Sequence, residues 1–121
     1  MIKEVAFTIY VVTDMKKARA FYEGVLGLKL NPEYDGSGNP NWIEYLVGSS
    51  CLAIGRSPDW KPSEDGAVVA LEVDNLEAFV AELKKKKVPL KLEPQSFPSC
   101  QMAVIEDPDK NKLMIHERKK K

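Results

Sequence analysis

The feature that most constrains this chain is an internal repeat. Leu28-Lys29-Leu30-Asn31-Pro32 returns as Leu90-Lys91-Leu92-Glu93-Pro94, 62 residues later. Ahead of each copy stands a helix-capping signal, Asp14 in the first half and Asp74 in the second, 60 residues apart. A two-residue gap in the first helix reconciles the two offsets. Self-similarity at so long a period means one structural unit used twice. Local patterning gives that unit its shape. Residues 5–12 are rich in β-branched and aromatic side chains and short enough for a strand. Met15, Ala18, Tyr22, Val25 and Leu26 then recur at helical spacing behind Thr13-Asp14, with Gly27 as the stop. A short strand over 28–30, a turn-rich loop over 31–41, and a hairpin over 42–47 and 51–55 complete the first half.

The second half repeats the order. Residues 67–73 form a strand, Asp74-Asn75 caps a helix with Leu76, Phe79, Val80 and Leu83 on one face, and 90–92 is a short strand. Residues 101–105 and 112–116 make a second hairpin across a turn containing Pro108. The expectation is an α+β fold of two tandem βαβββ modules. They cover about 1–57 and 66–118, with a connector over 58–65, in a single domain spanning 1–121.

Composition narrows the function. A chain of 121 residues with 44% hydrophobic content builds one ordinary core. Its 18 basic and 18 acidic residues leave no surplus charge with which to neutralise phosphates, so nucleic acid is not an expected partner. No apolar run is long enough to cross a membrane, and the N-terminal residues lack the pattern of a signal peptide. Cys51 and Cys100 form no CxxC and read as reduced thiols, which places the protein in the cytoplasm. With one histidine, His116, a His-rich or Cys/His zinc site cannot be assembled.

The pattern resembles the vicinal oxygen chelate superfamily of glyoxalase I, bleomycin- and fosfomycin-resistance proteins and extradiol dioxygenases. The residues that carry the resemblance span nearly the whole chain. They are the strand into Asp14, Ala20-Phe21-Tyr22 with Val25-Leu26-Gly27-Leu28, the run from Val69 to Asp74, and Glu106-Asp107-Pro108-Asp109-Lys110-Asn111. The last is close to the family's DPDGN turn, with Lys110 in place of the glycine. The resemblance implies that the modules form an open, U-shaped mixed barrel around a pocket, with helices outside. It also implies a homodimer. In the family's metalloenzymes four ligands come from the strands, and their positions fall here on Phe7, Ala53, Val68 and Met114. Phenyl, methyl and isopropyl groups donate nothing, and one thioether suits soft ions only. No metal and no cofactor is therefore expected. Asp107, Asp109 and Asn111 imitate the start of an EF-hand loop, but Lys112 stands where the glycine belongs and Arg118 where the bidentate glutamate belongs.

Strand alternation sorts the remaining residues by face. Ile43, Tyr45, Val47, Leu52, Ile54, Leu113 and Ile115 are expected against the helices. The concave side then receives Phe7, Ile9, Trp42, Glu44, Leu46, Cys51 and Ala53 from the first module. The second supplies Val68, Glu72, Met114 and His116, and the register that the resemblance implies adds Met102 and Val104. That lining is largely apolar with a few polar groups, the makeup of a small-molecule site. Trp42 and Phe7 suit stacking on a planar ligand, and methionines adapt to its outline. Trp60 in the connector and Tyr34 in the 31–41 loop are candidates to border the pocket. His116 with Glu44 or Glu72 is the one candidate for acid–base work; otherwise no catalytic residue is assigned. The sequence thus points to a metal-independent binding protein that sequesters a largely apolar, planar ligand. A metal-dependent lyase or dioxygenase, or a module whose pocket is vestigial, is the alternative.

Overall fold

The computed structural model describes residues 1 and 3–119. The chain divides into two compact units, Met1–Ser63 and Glu64–Lys121. Each is a βαβββ module built on one four-stranded mixed sheet, so the fold is α+β. In the first unit, strand β1 (Thr8–Val11) leads into helix α1 (Met15–Arg19), which continues as a π-helical segment over Ala20–Val25. Strands β2 (Lys29–Leu30), β3 (Trp42–Val47) and β4 (Ser50–Gly55) follow, in the sheet order β1-β4-β3-β2. β1 runs parallel to β4, with Ile9 opposite Ala53, and the other pairs are antiparallel. In the second unit β5 (Val69–Glu72), helix α2 (Leu76–Lys85), β6 (Leu90–Ser96), β7 (Cys100–Glu106) and β8 (Lys112–Arg118) give the order β5-β8-β7-β6.

Each helix covers one face of its own sheet. Ala18, Phe21 and Tyr22 are buried at the spacing of one helical stripe, as are Leu76, Val80 and Leu83. Against them lie Ile43, Tyr45, Leu52 and Ile54 in the first unit, and Ala103, Ile105, Leu113 and Ile115 in the second, all buried. Tyr22 and Tyr45 stack with ring centroids 6.1 Å apart. The Tyr45 hydroxyl donates to Glu23 Oε2 at 2.9 Å, and the Arg19 guanidinium holds the same carboxylate at 2.7 Å. That hydrogen bond from Arg19 is the main reason the Glu23 carboxyl sits below its usual range, with Tyr45 adding to it and desolvation opposing. Burial, then the bond to Glu23, pushes the Tyr45 phenol upward.

Local chemistry explains where the elements begin and end, and it corrects the sequence reading in several places. The first strand starts at Thr8, leaving Val5 and Phe7 ahead of it. Asp14 caps α1 by accepting the Lys17 amide, but α2 is capped by Asn75, which accepts the amide of Ala78, rather than by Asp74. Either residue type can cap, so adjacent candidates could not be ranked from sequence. α2 ends in a Schellman motif, with Val88 N–H donating to Leu83 O and Lys87 N–H to Lys84 O. Lys87 takes the left-handed conformation at φ 61° that this motif requires. The first helix does not stay α-helical to its end, since its final turns are π-helical. β6 runs on to Ser96 through Pro94, which an edge strand tolerates because one side of its backbone is unpaired.

The Asp107–Asn111 turn is built from its own side chains. Asp107 Oδ1 accepts the amides of Asp109 and Asn111 at 2.9 and 2.8 Å, and Oδ2 accepts Asn111 Nδ2 at 2.8 Å. These bonds give Asp107 and Asn111 a local structural role in place of the EF-hand imitation. Lys110 sits at φ 68°, where a Cβ is disfavoured. Lys110→Gly is expected to raise stability by about 0.5–1 kcal/mol. The midpoint of urea unfolding checks this; no increase would contradict it.

Candidate functional site

The sheet faces away from the helices are where the candidate residues lie. In the first unit Trp42, Glu44 and Leu46 are paired across the strands with Gly55, Ala53 and Cys51. Trp42 is the organising side chain. Its indole N–H donates to Glu44 Oε2 at 2.9 Å, its ring meets Phe7 edge-on at 5.3 Å, and Trp60 lies 6.5 Å away. Glu44 is consequently 8% exposed, a buried carboxylate with a hydrogen-bond partner rather than a free charge on an open surface. Ala53 is fully buried, whereas Leu46 is exposed and Ile9 and Cys51 are half-buried. Tyr34 and Trp42, with Glu33 and Asn39, border a concavity of about 320 Å³ formed by the 31–41 loop. That loop is held by its own Asx turns, Asn31 to Glu33, Asp35 to Ser37 and Asn39 to Asn41.

Gly55 makes this arrangement possible. A Cβ there would stand 2.9 Å from Ile9 Cδ1 and 3.0 Å from Trp42 Cε3. The isoleucine methyl can give way, but the indole is rigid. Gly55→Ala is therefore expected to cost about 1–3 kcal/mol and to shift the Trp42 fluorescence, read in a Trp60→Phe background. An unchanged spectrum and unfolding midpoint would contradict the packing described.

In the second unit Ala70 pairs with Met114 and Glu72 with His116, while Met102 and Val104 pair with His116 and Met114 from the other side. Met102, Val104, Met114 and His116 are half-buried, and Val68, just before β5, is 45% exposed. The middle of the face is thus apolar, flanked by Glu72 with His116 on one side and by Glu106 opposite Lys112 on the other. His116 Nδ1 lies 2.6 Å from Glu72 Oε1, and the Arg118 amide donates to Glu72 Oε2 at 2.7 Å. The bond with His116, then that from Arg118, holds the Glu72 carboxyl below its usual range. The acid–base candidates therefore separate, since Glu72 engages His116 and Glu44 engages Trp42. The Arg118 amide was not legible in the sequence, because a backbone donor leaves no mark on residue type. Elsewhere in this unit, α2, β6 and β7 border a groove of about 420 Å³ lined by Leu76, Val80, Ala81 and Pro94 among others.

The positions at which the resemblance places metal ligands do not fit a metal. Phe7 and Val68 precede their strands, Ala53 is buried in β4, and Met114 stands on β8; together they offer one thioether. Among the described residues, no three His, Cys, Asp or Glu side chains converge as a metal site.

Comparison with known proteins bears directly on this architecture. The sequence matches the family profile described as Glyoxalase/Bleomycin resistance protein/Dioxygenase superfamily over residues 4–115. The chain belongs to that superfamily. Solved structures of the glyoxalase superfamily share its fold at low identity. A putative glyoxalase family protein from Bacillus anthracis has 21% identity, covers 98% of each chain and gives a TM-score of 0.83. TnmS3, an antibiotic binding protein from Streptomyces sp. CB03234, has 22% identity, 98% coverage of each chain and a TM-score of 0.79. A lactoylglutathione lyase from Agrobacterium tumefaciens has 15% identity, covering 97% of this chain and 95% of its own, at a TM-score of 0.75. No curated protein matches the sequence. The same fold thus occurs in a protein described as antibiotic binding and in one described as a lyase, and the site must decide between such roles. No helix among the described residues is long and apolar enough to cross a membrane.

Proposed function

We propose that this member of the glyoxalase superfamily is a metal-independent binding protein that sequesters a largely apolar, planar small molecule. The observation that carries the reading is the open face of the second sheet. Val68, Ala70, Met102, Val104 and Met114 leave apolar surface uncovered there, beside the hydrogen-bonded pair of Glu72 and His116. A small-molecule site has that composition: apolar walls for affinity and a few polar groups for orientation. Within the first unit Phe7 and Trp42 meet edge-on, Trp60 packs beside Trp42, and Ile9, Leu46 and Cys51 are half-buried or exposed. Phe7, Ala53, Val68 and Met114 supply no donor set for Zn, Ni, Mn or Fe(II), which favours binding over metal-dependent lyase or dioxygenase chemistry. TnmS3, described as an antibiotic binding protein, offers the functional precedent on this fold. In this role the protein acts as a cytoplasmic homodimer, and Cys51 and Cys100 are free thiols in keeping with a reducing compartment.

Two measurements on the purified protein test the proposal. A thermal-shift screen of flat aromatic compounds is expected to give hits that raise the melting temperature with concentration, as mass action requires. Metal analysis of protein prepared without chelators is expected to find no stoichiometric transition metal. A bound Ni, Zn, Mn or Fe that activates turnover would overturn the reading in favour of an enzyme. A screen without hits would favour a vestigial pocket.

A further inference from the structure

The pairing of His116 with Glu72 fixes more than a position. An ionised carboxylate only accepts hydrogen bonds, so the 2.6 Å contact places the imidazole hydrogen on Nδ1. In the neutral ring the lone pair then belongs to Nε2. Nε2 has no hydrogen-bond partner among the described residues. Glu72 is itself fixed, because its second oxygen takes the Arg118 amide at 2.7 Å. The imidazole stands directly across the strands from Met102, on the face that also carries Met114, Val104 and Ala70. What results is an oriented acceptor beside the apolar patch of Met102, Val104 and Met114, with a carboxylate behind it that disfavours anions.

We propose that Nε2 of His116, its tautomer set by Glu72, is the acceptor that selects ligands bearing a hydroxyl donor, a phenol or enol, on a flat apolar body. This rests on the small-molecule reading above and adds the chemical class of ligand. The charge arrangement decides among classes. A carboxylate or phosphate would meet a lone pair backed by Glu72, and an ether or ketone would bring no hydrogen to share. A hydroxyl conjugated to a planar ring brings both the donor and the apolar surface that Met102 and Met114 can cover.

Since His116 is the one histidine of the chain, its ring nitrogens give unambiguous signals in a long-range ¹H–¹⁵N correlation spectrum of labelled protein. The Nδ1–H tautomer is expected in the wild type, with that preference lost in Glu72→Gln. Affinities are then compared for 2-naphthol and its methyl ether, 2-methoxynaphthalene. Naphthol is expected to bind about tenfold more tightly, the ordinary worth of one well-placed hydrogen bond. The ratio is expected to fall towards one in both His116→Phe and Glu72→Gln. An Nε2–H tautomer in the wild type, or equal affinity for the two probes, would overturn the proposal. With equal affinities the face still binds a flat molecule and only the acceptor role fails. If neither probe binds, the small-molecule reading falls and the acceptor role falls with it.

Discussion

Ile115→Ala is expected to destabilise the protein by about 2–5 kcal/mol, whereas Met114→Ala, one residue away on β8, costs under about 1 kcal/mol and weakens ligand binding instead. The contrast follows from the period of a strand. Ile115 is fully buried beneath α2 among Ala103, Ile105 and Leu113, so truncating it leaves a cavity that close-packed neighbours cannot fill. Met114 points to the opposite face, half-buried, and its truncation exposes little that was not already near solvent. Urea unfolding reports the stability arm through a shifted midpoint at constant slope. Binding of 2-naphthol reports the other arm. Equal destabilisation by the two substitutions would mean that both faces of the second sheet are core.

The second large effect lies at the Arg19, Glu23 and Tyr45 cluster. Tyr45→Phe deletes a buried hydroxyl that donates to a charged acceptor, and the expected loss is about 1.5–3 kcal/mol. The same cluster sets an acid response. The Glu23 carboxyl is depressed in the folded chain relative to its ordinary value of 4.5, chiefly by Arg19. A depressed carboxyl adds stability that is fully present above the unfolded value and disappears as pH falls through the folded one. Stability is therefore expected to drop on acidification below about 4.5, and Glu23→Gln to flatten part of that drop while being less stable at neutral pH. Parallel pH profiles for wild type and Glu23→Gln would contradict the coupling.

The sequence made the two βαβββ modules legible because two independent periods agreed, the 62-residue repeat of Leu-Lys-Leu-x-Pro and the alternation along each hairpin. Alternation also predicts that Ile43, Tyr45, Val47, Leu52, Ile54, Leu113 and Ile115 face the helices; all are buried except Val47, which is half-buried at the end of β3. What was not legible depends on contacts between residues far apart or on choices between equivalent neighbours. Asp74 and Asn75 are both good caps, and only the geometry selects Asn75. The length of β6 depends on its pairing with β7, which carries it past Pro94. Alternation puts Glu44 on the concave face, but not that the indole of Trp42, two residues away on the same face, buries and bonds it. The choice of Glu72 over Glu44 as partner for His116 follows from parallel register between β5 and β8, which residue types do not encode.

The open face of the second sheet is where the ligand is expected to bind. The most direct measurement is a set of intermolecular nuclear Overhauser effects between bound 2-naphthol and the side chains of uniformly ¹³C-labelled protein, with the methionine methyls assigned through Met102→Leu and Met114→Leu. Contacts to the methyls of Met102 and Met114 are the predicted result. Contacts instead to Leu76, Val80 and Pro94, in the groove beside α2 on the other side of the sheet, would contradict it.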